Sequence, residues 1–211
     1  MKTPATGENV RVLAIIPARG GSKGVPRKNI VHFCGKPLIW YSIREAHASR
    51  LIDATIVSTN DEEIAEVARA HGAEVPFLRP EHLSGDDSRD IDFLQHALEW
   101  AEKERGWRPE ILVYLPPTTP TRTASDIDHA LETMIATGAD SVRTMVFPER
   151  TNPYKMWIES GEDGRVDPLF PEGSQCLPRQ HFRKKWFLPV GAVYATKAVC
   201  VKAGRVWGDD V

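Results

Sequence analysis

Twelve residues near the start of the chain, Ala18-Arg19-Gly20-Gly21-Ser22-Lys23-Gly24-Val25-Pro26-Arg27-Lys28-Asn29, hold four cations, three glycines and a serine. Glycines let a backbone come close to a ligand and adopt positive φ. Successive backbone N–H groups in such a loop can form a nest for an anion. Arg19 and Arg27 offer planar forks, Lys23 and Lys28 point charges, and Ser22 a hydroxyl. That combination suits a triphosphate. The loop is neither GxxxxGK[ST] nor GxGxxG, so it is not a P-loop or a dinucleotide-binding turn.

The charge distribution points the same way. Residues 1–36 carry seven basic groups against one acid, Glu8, a net of +6. Residues 61–110 carry 14 acids against six basic groups, a net of −8. A basic start with an acidic flank places an anion site early in the chain. Over all 211 residues the two signs nearly cancel, to −2, which argues against a nucleic-acid partner. With 41% hydrophobic and 27% charged residues the composition is globular. Cys34, Cys176 and Cys200 contain no CxxC pair, which argues against a zinc ribbon or a disulfide scaffold and fits a reducing cytoplasm. The longest apolar runs, such as Val12–Ile16, are too short to cross a bilayer, and the first ten residues lack the apolar core of a signal peptide. The seven histidines show no HExxH or other metal-ligand spacing.

The loop needs a scaffold, and the flanking pattern supplies one. Val12–Ile16 reads as a buried strand stopped by Pro17, so the basic loop leaves its carboxyl end, where open parallel sheets bind ligands. Gly35-Lys36-Pro37 is expected to open a helix running to about Ala48. Thr55–Ser58 follows as a strand, and Asn60 with Glu63 predicts a capping box for a helix that Gly72 ends. Val75–Leu78 reads as a third strand and 88–105 as a helix with Ile91, Leu94, Leu98 and Ala101 on one stripe. Ile111–Tyr114 is a strand, Ile127 to Ile135 a helix stopped by Gly138, and 141–146 and 190–195 are the last strands. Alternating strands and helices predict an α/β fold of three layers, α/β/α, with a mostly parallel Rossmann-like sheet in one domain over 1–211. Residues 147–188 break the alternation with five prolines and scattered aromatics, and are read as a protruding arm. Trp157 and Trp186 in that arm suit a subunit contact.

The segment Ile15–Asn29 resembles the signature of the acylneuraminate cytidylyltransferases, also called CMP-sialic acid synthetases. The resemblance continues in order through Gly35-Lys36-Pro37-Leu38, Val57–Asp61, Arg79–Asp86, Pro117–Arg122, Asn152–Lys155, Arg179-Gln180 and Gly191–Tyr194. It implies a nucleotidyltransferase sheet and transfer of CMP from CTP to the anomeric hydroxyl of a sialic-acid-like 2-keto sugar acid. It assigns the triphosphate to Arg19, Ser22 and Lys23 with the backbone of Gly20 and Gly21. Arg19 and Lys28 become the catalytic cations at the reacting phosphate. Asn29 is matched to the ribose or a phosphate and Arg79 to the cytosine. Lys155, Arg179 and Tyr194 match positions that face the acidic sugar. The resemblance further implies Mg2+ as cofactor and a homodimer whose arm closes the sugar site. A related acid (3-deoxy-octulosonate, legionaminic or pseudaminic acid) is an alternative acceptor, and a catalytically weak nucleotide-binding homologue is an alternative to an enzyme.

Two departures from the family stand out. Pro116 occupies a position where the family carries Gln or Arg, so the acceptor sugar is open. The family's acidic segment, about thirty residues beyond its Gly-Ala-x-Tyr strand, has no counterpart in the 17 residues after Tyr194. Asp209-Asp210 comes too early to take that part, so the metal ligands stay unassigned and full activity of a chain this short is in question.

Overall fold

Val12, Ala14 and Ile16 face one side of the first strand and Leu13 and Ile15 the other, and all five are buried. A strand buried on both faces belongs inside a sheet covered twice. The computed structural model describes residues 4–148, 152–161, 163–170 and 185–211. Its elements run β1 (Val12–Pro17), β2 (His32–Phe33), β3 (Lys36–Pro37), α1 (Leu38–Ala48), β4 (Ala54–Ser58), α2 (Glu62–Ala70), α3 (Asp90–Glu104), β5 (Ile111–Tyr114), α4 (Ala124–Thr137), β6 (Ser141–Val146), β7 (Trp157–Glu159), β8 (Val166–Pro168), β9 (Leu188–Lys197) and α5 (Ala198–Lys202).

The main sheet has the order β4-β1-β5-β9-β6. β1 is parallel to β4, from Leu13 opposite Ala54 to Pro17 opposite Ser58, and parallel to β5, from Val12 opposite Ile111 to Ile15 opposite Tyr114. β9 runs antiparallel to β5, with Tyr194 opposite Tyr114. The sheet is thus mixed and mostly parallel along its first three strands. One core packs α1, α2 and α4 on the face of Ala14, Ile16 and Val113, through Ile39, Ile43, Ile64, Ile127 and Leu131. A second core packs α3 and α5 on the face of Leu13, Ile15 and Leu112, through Leu94, Leu98, Ala101 and Val201. The three expected layers are present. After β1 the chain moves to β4 on one side and then to β5 on the other, so the order reverses at β1. Such a reversal leaves a crevice outside the carboxyl ends of the strands.

One local expectation is extended and two are corrected. Gly35-Lys36-Pro37 does lead into the expected helix, α1, with Pro37 at its N-cap, and the same segment is also half of a hairpin, His32 opposite Pro37 and Phe33 opposite Lys36. Cys34 and Gly35 sit at its turn with φ of 47° and 82°, the left-handed pair a two-residue hairpin turn requires. The stretch expected as a strand at Val75–Leu78 makes one isolated parallel bridge, Leu78 to Thr59, with another just before it, Glu74 to Ile56. The cap of α2 is Asp61, whose carboxylate accepts from the Ile64 N–H at 3.0 Å, and not Asn60.

Segments 1–144 and 191–211 group into one compact unit and 145–190 into a second, which takes in the segment expected as an arm. Within the second unit β7 and β8 pair antiparallel, Trp157 opposite Pro168. There the Trp186 ring lies 5.7 Å from Phe147 and 6.0 Å from Tyr154, and Tyr154 lies 5.1 Å from Phe170. Among the described residues no helix is long and apolar enough to cross a membrane.

Candidate active site

At the crevice beside β1 the first unit holds a cavity of about 360 Å³, within the range of small-molecule sites. Arg19, Ser22, Lys28 and Asn29 line it from the loop after β1. Arg79, Asp86 and Asp90 line it from the segment leading into α3, Tyr114 and Pro116–Thr118 from the end of β5, and Tyr194 from β9. Five expected nucleotide residues and one expected sugar residue are therefore brought to one hollow. Gly21 and Lys23 line an adjoining hollow of about 470 Å³ together with Ser22 and Asp86.

The loop is held from below. The Ala18 N–H donates to the Ser58 carbonyl at 3.0 Å and the Gly20 N–H to Asn60 Oδ1 at 3.0 Å. Buried Asn29 donates its amide to the Arg19 carbonyl at 2.9 Å, closing the loop on itself. The expected positive φ falls on Arg27, at 53°, and not on the loop glycines. Gly20 is needed for space instead, since a Cβ there would stand 2.6 Å from Asp61 Oδ2. The expected anion nest is partly used up as well, because the Gly20 and Ser22 N–H groups both have partners within the chain. Arg27 forms a forked pair with Asp61 at 2.5 and 3.1 Å and also meets Glu63. The Arg27 guanidinium holds the Asp61 carboxyl below the usual carboxylate range. That leaves Lys28, whose ammonium enters no ion pair among the described residues.

Arg79 is the most unusual cation of the site. It is only 5% exposed, donates to the Ser58 carbonyl at 3.3 Å and lies 5.5 Å from the centre of the Phe93 ring. Its Nε is buried with no hydrogen-bond partner. Burial, helped by the charge of Arg19, pulls its pKa down to about 10, so it stays charged at neutral pH. A buried, charged donor without a partner is costly unless a ligand completes it. Beside it, Tyr114 donates its hydroxyl to Asp90 at 3.0 Å and stacks on Tyr194, with ring centres 4.5 Å apart and 5° between planes. Burial and then the Asp90 charge push the Tyr114 pKa up, so the phenol keeps its proton. Arg143 covers Tyr194 at 5.2 Å from its ring centre.

Sequence reasoning missed Asp90, Tyr114, Phe93 and Asn60, all of which face or brace the site. The Pro117–Arg122 segment carries a second buried cation with a different task. Arg122 donates to the carbonyls of Pro116 at 3.3 Å and Ala192 at 2.7 Å and to the Ser42 hydroxyl, so it ties the loop after β5 to β9 and α1. Burial lowers its pKa to about 10. Lys155 ends a short 3-10 turn, Pro153–Lys155, in the second unit. Arg179 lies outside the described residues.

Among the described residues no group of three or more His, Cys, Asp or Glu side chains is placed to hold a metal ion. Of the carboxylates lining the cavity, Asp86 is engaged by Arg19 and Lys23 and Asp90 by Tyr114. Asp209 pairs with Arg205 at 2.9 Å, and the Asp210 carbonyl accepts the N–H groups of Asp140 and Ser141. The described side chains do not by themselves fit a magnesium site.

The fold matches that of the solved CMP:2-keto-3-deoxy-manno-octonic acid synthetase complexed with CTP, with a TM-score of 0.66 over 91% of this chain and 76% of that one, at 18% identity. The two chains therefore share one class of fold, a mostly parallel α/β sheet covered by helices on both faces. Residues 13–156 match the sequence pattern of the cytidylyltransferase family, and the chain belongs to that family. It is 53% identical over 87 residues to the pseudaminic acid cytidylyltransferase of Campylobacter jejuni subsp. jejuni serotype O:2, covering 41% of this chain and 38% of that protein. It is 32% identical over 206 residues to the N-acylneuraminate cytidylyltransferase A of Danio rerio, covering 98% of this chain and 46% of that protein. The chain thus spans less than half the length of either relative.

Proposed function

We propose that this protein transfers CMP from CTP to the anomeric hydroxyl of a sialic-acid-like 2-keto sugar acid, releasing pyrophosphate. The observation that carries this reading is the meeting of Arg19, Lys28, Asn29 and Arg79 at one cavity beside β1. In the reaction the anomeric oxygen forms a bond to the α-phosphorus, the bond to the bridging oxygen of pyrophosphate breaks, and the hydroxyl proton is lost. Negative charge grows on the phosphoryl oxygens and on the leaving pyrophosphate. Placed cations stabilise such charge without themselves changing bonds. Arg19 and Lys28 take that part, with Ser22 and Lys23 on the outer phosphates and the Gly20-Gly21 backbone beneath them. Asn29 meets the ribose or a phosphate.

Cytosine presents a carbonyl acceptor and an amine donor. Arg79 donates to the first, which gives its orphaned Nε a partner. Magnesium comes bound to the triphosphate, where it neutralises phosphate charge; no step is assigned to it. Lys155, Arg179 and Tyr194 face the sugar and its carboxylate in this reading, a homodimer closes that side, and the enzyme works in the cytoplasm. The 53% identity to a pseudaminic acid cytidylyltransferase favours a second reading in which pseudaminic acid is the acceptor.

Pyrophosphate release tests both. The protein is incubated with magnesium, CTP and, in turn, N-acetylneuraminate, pseudaminic, legionaminic and 3-deoxy-octulosonic acids. Release with CTP and N-acetylneuraminate supports the first reading, and release with pseudaminic acid alone supports the second. CTP binding without release from any acid points to a binding protein and overturns both.

A further inference from the structure

Two of the cations assigned above to the triphosphate are already held by an anion of the chain itself. Lys23 Nζ lies 2.5 Å from one Asp86 carboxylate oxygen and an Arg19 guanidinium nitrogen 3.3 Å from the other. The second terminal nitrogen of Arg19 donates to the Gly85 carbonyl at 2.5 Å. Both partner loops hang from the same strand end. The Ala18 and Gly20 N–H groups are tied to Ser58 and Asn60, and the Arg79 N–H is tied to the Thr59 carbonyl at 2.7 Å. Asp86 borders both the nucleotide cavity and the hollow beside Lys23. The fork of Arg19 cannot grip a phosphate while Gly85 and Asp86 keep it. A carboxylate left beside a bound phosphate would also repel it.

We infer that Asp86 is an internal competitor for the triphosphate, holding Arg19 and Lys23 until a highly charged phosphate chain displaces it. The inference rests on the CTP reading above. The pair is solvent-exposed, with Asp86 45% and Lys23 79% accessible, and exposed ion pairs contribute little. A polyphosphate carries several charges and can meet the Arg fork with two oxygens at once, which makes a stronger bond. Asp86 therefore sets a threshold that triphosphate crosses readily. It also recaptures both cations when pyrophosphate leaves. Asp86 acts through Arg19 and Lys23, as a specificity-determining and positioning residue.

The test is calorimetric titration of wild type, Asp86→Asn and Asp86→Glu with CTP, pyrophosphate and cytidine, alongside turnover. Asp86→Asn is expected to bind CTP and pyrophosphate about three- to tenfold more tightly, a range typical of the loss of an exposed pair together with a like charge. Cytidine, which has no phosphate, should bind all three alike. In turnover the asparagine variant should show a lower KM for CTP and stronger inhibition by pyrophosphate, and Asp86→Glu should track wild type. Asp86→Ser, with melting curves for every variant, guards against a local folding defect. Unchanged or weaker CTP binding by a folded Asp86→Asn protein overturns the inference. Failure of the wild type to bind CTP overturns the reading beneath it and the inference with it.

Discussion

The two units of the chain solve opposite problems. Every buried hydrophobic residue among those described lies in segments 1–144 and 191–211, whereas 12 of the 20 exposed large hydrophobics lie within 145–190. The first unit covers both faces of its sheet with its own helices and needs nothing else to bury its core. The second offers a ribbon of two three-residue strands and a set of aromatic and aliphatic side chains open to solvent, Trp157 at 55% and Ile158 at 54% among them. A two-stranded ribbon is marginal alone, and apolar patches of this kind mark contact surfaces. The nucleotide half of the proposed reaction can therefore be followed within one chain. Of the residues proposed for the sugar, Tyr194 belongs to the first unit and Lys155 to the second.

That division can be broken by substitution. The largest effect is expected at Lys28. Lys28→Ala should lower pyrophosphate release about 10²- to 10³-fold, as loss of a charge-stabilising group does, while the melting temperature stays within about 2 °C of wild type. Near-normal release would remove Lys28 from the chemistry. Next comes Gly20→Ala, whose added methyl must push against Asp61. It should cost about 1–3 kcal/mol in urea unfolding and weaken CTP binding at least about tenfold. In the second unit, on the proposal that the protein is a homodimer joined there, Trp157→Ser should halve the particle mass in light scattering and raise the sugar KM about tenfold, with CTP affinity within about twofold. A collapse of CTP affinity there would erase the distinction between the units.

Smaller effects sharpen the picture inside the first unit. Tyr114→Phe removes the bond to Asp90 and should cost about 0.5–1.5 kcal/mol in thermal unfolding. The smallest effect is on acid stability. Arg27 depresses the Asp61 carboxyl, so Asp61 favours the folded state at pH above its unfolded pKa of about 3.9. That contribution is lost as pH falls through the lower folded value. Asp61→Asn should flatten the unfolding free energy measured between about pH 4 and pH 2. An unchanged slope would mean the Arg27 pair contributes nothing measurable.

Much of this was legible in the sequence because it is local. The cations and glycines of the loop are adjacent in the chain, and strand and helix periods repeat within a dozen residues. Gly72 and Gly138 mark the ends of α2 and α4 by left-handed geometry that glycine favours. What escaped was tertiary. Gly20 with Asn60, Arg19 with Gly85 and Asp86, and Tyr114 with Asp90 are 24 to 67 residues apart in the chain, and no spacing rule joins them. Asn60 and Asp61 are both good caps by type. Asp61 takes the helix because Asn60 is already holding Gly20. The hairpin at Cys34-Gly35 lay hidden under a glycine and a proline that read equally well as a helix entry.

The central claim is that the cavity beside β1 is built for CTP. Calorimetric titration of the wild type with CTP, UTP, GTP and ATP in magnesium tests it most directly. Saturable binding of one CTP per chain is expected, with the other nucleotides at least about tenfold weaker. Equal binding of all four nucleotides, or binding of none, would contradict it.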